Sequence, residues 1–77
     1  MDNKSKYLAI FKETFNVKEI SEDTKYNEIP EWDSIGHMTL MSALEEKFKI
    51  SIDTDDIVDF SSVKVGYKIL DKYGVKF

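Results

Sequence analysis

The chain has 77 residues, a formal net charge of −4 and no cysteine. That length allows one domain with one modest core. The missing thiols exclude disulfide and thiolate-metal staples, as well as any thiol chemistry not imported by a cofactor. The acidic balance argues against nucleic acid or an anionic membrane as partner, since both reward a basic patch.

In chain order, Asn3 to Phe15 places Tyr7, Leu8, Phe11 and Phe15 at helical spacing and predicts an amphipathic first helix. Asn16 to Asp33 breaks that period with Ser21, Asp23, Thr24, Asn27 and the only proline, Pro30, so it reads as a long loop anchored by Val17, Ile20, Tyr26, Ile29 and Trp32. Trp32 is expected to act as a lid on the core. From Ser34 to Lys49 the helical period returns, with Leu40, Leu44 and Phe48 as an i, i+4, i+8 ridge. Asp33 is the N-cap candidate, because its carboxylate can accept from first-turn amides at the positive end of the helix dipole. Ile50 to Ile52 is ambiguous by itself. Asp53 to Phe60 has room for one short helix, and Ser61 or Ser62 then caps a last helix to about Tyr73, with Gly74 as its stop. Gly66 inside that helix costs about 1 kcal/mol relative to alanine, which a close helix crossing would justify. The expected architecture is all-α: three main helices, one short helix and a long first loop. Leu40, Leu44, Phe48, Phe11, Phe15, Tyr67 and Leu70 are the expected core.

Charge is unevenly spread. Glu28 to Asp59 holds nine acids against Lys47 and Lys49, a net −7, which leaves the remainder at +3. Such segregation suits either a solvated face or a surface that meets basic partners. The aspartates Asp53, Asp55, Asp56 and Asp59 do not form a calcium loop, because Val58 stands where the sharp turn needs glycine and Lys64 where a bidentate glutamate is required. No apolar stretch follows the polar start Met1 to Lys6 and none reaches membrane-spanning length, so a single cytoplasmic, monomeric domain over residues 1–77 is expected.

Ser34 and His37 share one helix at i, i+3 spacing, with Asp33 adjacent. A hydrolytic triad would also need an orienting group, an oxyanion hole and a closed pocket, which so short a chain has little structure to build. His37 is therefore expected on the surface of the first turn. Ser34 is the residue of interest, because a hydroxyl at a helix N-terminus projects outward and a phosphodiester placed on it would meet free amides and the helix dipole. Ile35, Met38 and Ser42 form a second stripe apart from the Leu40 ridge, and Ile35 and Met38 are expected to stay largely exposed.

Asp33-Ser34-Ile35, followed by Leu40-Met41-Ser42-Ala43-Leu44-Glu45-Glu46-Lys47-Phe48, resembles the acyl and peptidyl carrier protein family, whose signature is Asp-Ser-Leu at the head of a helix ending Leu-Glu-Glu-x-Phe. The similarity runs on through Ile52, Asp53 to Phe60 and Val63 to Leu70, and more loosely covers the first helix. It implies a right-handed four-helix bundle whose Ser34 accepts 4′-phosphopantetheine from coenzyme A under a phosphopantetheinyl transferase, with Asp33 serving as cap and in recognition by that transferase. It further implies that an acyl or aminoacyl ligase loads the arm's thiol and that a downstream synthase or transferase unloads it. The protein would then be a substrate of enzymes and not one itself. Ile35, Met38, Glu45, Glu46, Asp55 and Asp56 are the partner-binding residues expected on that basis, and no metal is expected. Gly36 and Thr39 stand where housekeeping fatty-acid carriers usually have acids, which points toward a discrete carrier of a specialised acyl, aminoacyl or sugar-modification pathway. A non-acylated adaptor that keeps the carrier fold is the alternative.

Overall fold

The computed structural model describes residues 2–77, and among these there are four helices and no strand. Helix α1 spans Asn3–Phe15, α2 spans Ser34–Phe48, α3 spans Thr54–Asp59 and α4 spans Val63–Lys72. Three of the starts are side-chain capped. Asp2 accepts from the Ser5 amide, Asp33 from the Gly36 amide and Ser62 from the Val65 amide, each meeting a donor that the helix itself cannot satisfy. Helix α2 stops at Phe48, one residue before the expected end, because Lys49 turns left-handed at φ 56° and its N–H returns to the Glu45 carbonyl.

The core joins α1, α2 and α4 with the loop between α1 and α2. Phe11, Phe15, Leu40, Leu44 and Leu70 are buried as their spacing predicts, whereas Phe48 and Tyr67 pack half-buried at its edge. Trp32 is no lid. It is completely buried, with its ring 5.4 Å from Phe11 and stacked at 5.5 Å on Phe15, so the loop contributes the largest side chain at the centre of the bundle.

The loop is held by backbone bonds to the approach and start of α4. Tyr26 N–H donates to the Ser61 carbonyl at 2.8 Å, and the Val63 and Lys64 amides donate to Thr24 and Glu22 at 3.0 Å. Its far end is fitted closely to α2, because any Cβ at Gly36 would run into the Glu31 carbonyl oxygen. Gly66 is explained the same way. A Cβ there would collide with the Tyr7 hydroxyl and the Phe60 ring, so α4 crosses these groups more closely than a side chain permits. Ile50 to Ile52 forms no strand; Ile52 is buried and its N–H donates to Glu45 Oε2 at 2.8 Å.

Candidate functional site

Ser34 is the first residue of α2 and is exposed. The capping task that a serine at such a position often performs is already done by Asp33, whose Oδ1 accepts from the Gly36 amide at 2.8 Å. Ser34 Oγ is therefore spare, and it lies 3.2 Å from the Tyr26 hydroxyl. By contrast, Ser62 is buried and committed to the Val65 amide.

Beside Ser34 lies an open cleft of about 380 Å³ between the head of α2 and α3, walled by Tyr26, Met38, Ile57, Val58 and Phe60 with His37 at its base. Ile35 and Met38 are exposed as expected, at 79% and 52%, and Val58 adds a third apolar side chain at 76%. The Ser34 hydroxyl thus opens onto a cleft whose walls include the exposed apolar side chains Met38 and Val58. Val58 and Tyr26 were not legible as site residues. Val58 carried the weak signal of an apolar residue on the opposite side of a short helix from its buried face, whereas nothing in the sequence tied Tyr26 to a serine eight positions later.

His37 is buried at 9% exposure rather than on the surface. The Trp32 indole N–H donates to its Nδ1 at 2.9 Å, and Nε2 lies 2.8 Å from the Ile57 carbonyl. An indole nitrogen can only donate, so Nδ1 accepts and the ring carries its proton on Nε2, which donates to Ile57. Both nitrogens are thus consumed in joining the loop to α3, and neither is free to act as a base toward Ser34. The Ser34–His37 hydrolytic arrangement is not formed.

The six expected partner-binding residues divide. Ile35, Met38, Glu46 and Asp55 are exposed. Glu45 is half-buried and spends its carboxylate on the Ile52 amide. Asp56 is buried, and it faces inward because Lys72 Nζ, 2.6 Å away, and the Tyr73 hydroxyl both donate to it. The Lys72 hydrogen bond, reinforced by Tyr73, lowers the Asp56 pKa, and Asp56 in turn raises that of Lys72. An acid consumed in tying α3 to α4 does not present a free charge, so Asp56 is withdrawn from the expected partner surface and Glu45 is first of all a structural residue. Exposed acids remain nearby at Glu31, Asp53 and Asp59.

No helix among the described residues is long and apolar enough to cross a membrane. The model of one protein family, described as phosphopantetheine attachment site, matches residues 8–65. No curated protein and no solved structure matches the chain.

Proposed function

This chain belongs to the phosphopantetheine attachment site family, whose domains are carriers that hold 4′-phosphopantetheine covalently, and from that membership we propose that Ser34 is the attachment residue. The observation that carries the assignment is a serine oxygen released from capping at the exposed start of α2, beside an open apolar cleft and inside the matched span. The surroundings suit the group. The helix start offers a favourable potential to a phosphodiester, and the cleft offers apolar surface to the chain that follows. When bound, the arm supplies a terminal thiol that holds a carried group as a thioester, which answers the absence of cysteine.

The protein's own residues then have three tasks. Ser34 provides the point of attachment, Asp33 keeps the first turn of α2 ordered around it, and Ile35, Met38 and Val58 give partner enzymes an apolar surface rimmed by Glu46 and Asp55. The partners on this reading are a phosphopantetheinyl transferase, an acyl or aminoacyl ligase and a downstream synthase or transferase. A specialised pathway is favoured over bulk fatty-acid synthesis, because Gly36 and Thr39 offer no charge beside Ser34 and the Glu31 carbonyl leaves no room for a side chain at Gly36.

Incubation with coenzyme A and a broad-specificity transferase tests the assignment by intact mass. One adduct of about 340 Da, the mass of the phosphopantetheinyl group, is expected on the wild type and none on Ser34→Ala. An unmodified wild type beside a modified control carrier, or a modified Ser34→Ala, would overturn it.

A further inference from the structure

The Tyr26 hydroxyl has one partner among the described residues, and it is Ser34 Oγ at 3.2 Å. The remaining contacts of Tyr26 use its ring or backbone. Its ring stands edge-on to His37 at 5.3 Å and 82° and to Trp32 at 6.3 Å and 79°, and its N–H is held by the Ser61 carbonyl. A phenylalanine would serve all of those contacts equally well. The ring rests edge-on against His37, which is itself held at both nitrogens, by Trp32 and by Ile57. At 39% exposure, Tyr26 sits at the rim of the cleft. The arrangement therefore brings a phenol hydroxyl to an exposed serine that would otherwise exchange among three staggered rotamers.

Resting on the reading of Ser34 as attachment site, we propose that Tyr26 is the positioning residue for modification of Ser34 and that its hydroxyl serves the resulting phosphodiester as a hydrogen-bond donor. In the transfer, Ser34 Oγ attacks the β-phosphorus of coenzyme A. The Oγ–P bond forms, the bond to the bridging oxygen breaks and adenosine 3′,5′-bisphosphate leaves, while the serine proton passes to a base of the transferase. Either hydroxyl can donate in the resting pair; once the serine proton turns to that base, the phenol donates to Oγ, so the charge that develops on Oγ as the proton departs faces a donor. The benefit belongs to the transition state, so it falls on kcat and leaves association with the transferase unchanged.

The test compares wild type, Tyr26→Phe and Ser34→Ala in steady-state modification by coenzyme A and a broad-specificity transferase, with thermal melts of each protein and the ³¹P spectrum of each modified product. Tyr26→Phe is expected to melt with the wild type, to keep KM for the carrier within twofold, and to lose kcat by about threefold to tenfold, equivalent to about 0.6 to 1.4 kcal/mol at 1.36 kcal/mol per decade. Its phosphodiester resonance is expected to shift from the wild-type position, a signature that a purely structural role would not produce in an equally stable protein. Equal kcat with an unshifted resonance overturns the proposal. So does a raised KM at constant kcat, which would assign Tyr26 to docking. If Tyr26→Phe proves unstable, the resonance of wild-type holo-protein, compared before and after its unfolding in urea, decides: coincidence with the free phosphodiester position in both states overturns the proposal. Modification of Ser34→Ala, or failure to modify the wild type, strikes the Ser34 assignment itself and is read separately from the Tyr26 comparison.

Discussion

The Trp32 indole N–H donates to His37 Nδ1 at 2.9 Å, joining edge to edge two rings whose planes are only 19° apart. Through that bond and its continuation from Nε2 to the Ile57 carbonyl, a loop residue, the head of α2 and the short α3 are joined in one polar chain. Within this chain each donor meets one acceptor, the condition under which a polar group inside a small core is not a liability.

Trp32→Phe should consequently cost about 2 to 4 kcal/mol, since it leaves His37 Nδ1 without its donor and a gap where the larger ring was. Chemical denaturation measures the loss. In the wild type, ¹⁵N spectra should show His37 as the neutral Nε2–H tautomer; an Nδ1–H tautomer would mean that the chain of bonds is wrongly drawn.

Leu44 is fully buried whereas Met38 is 52% exposed on the same helix. Leu44→Ala is expected to lose about 2 to 5 kcal/mol, a large part of a small domain's stability, and Met38→Ala no more than about 0.5 kcal/mol. Comparable shifts in melting temperature for the two would reverse the assignment of faces.

Asp56 supplies a pH signature. Its pKa is lowered in the fold by Lys72 and then by Tyr73, so the unfolded chain binds the proton more readily than the native one. The stabilisation from the Asp56 contacts is complete above the ordinary aspartate value of about 3.9 and drains away as pH falls through the lowered native value. Asp56→Asn should melt below the wild type at neutral pH, and the gap should close in strong acid. A gap independent of pH would show that the carboxylate charge contributes nothing.

Glu45 and Glu46 are neighbours with different duties, and their variants should separate. Glu45→Ala removes the acceptor of the Ile52 amide and is expected to cost about 1 to 3 kcal/mol. Glu46→Lys should leave stability nearly unchanged but raise KM for a basic transferase by about twofold to fivefold, the scale of an exposed charge pair at roughly 0.2 to 1 kcal/mol. Added salt should shrink that difference, since exposed charges are screened over about 8 to 10 Å. A rise in KM that salt does not touch would argue against steering by this face.

The helices themselves were open to reading from residue order, because period, caps and breakers act within a few positions. Phe11, Phe15, Leu40 and Leu44 announce their buried faces by spacing, Asp33 announces the start of α2 and the Ser61-Ser62 pair that of α4, and Asp33-Ser34-Ile35 together with the helix ending Leu44-Glu45-Glu46-Lys47-Phe48 singled out the serine by family resemblance. A close approach at Gly66 could be expected from the cost of glycine in a helix, although not what it approaches.

Everything that depended on where the long loop travels was decided by the tertiary structure. Loop residues carry no period, so neither the depth of Trp32 nor the arrival of Tyr26 at Ser34 is encoded in local spacing. His37 and Asp56 look like surface residues on hydrophilicity alone, since burying a polar side chain is favourable only where partners wait for it. Those partners, Trp32 and Ile57 for the one and Lys72 and Tyr73 for the other, come from elements 5 to 20 positions away. Residue order by itself thus determined the helical framework and the exposed serine, whereas packing of the loop against α2 and α3, and of α3 against α4, decided which neighbouring groups remain free to meet a partner and which are consumed in holding the bundle together.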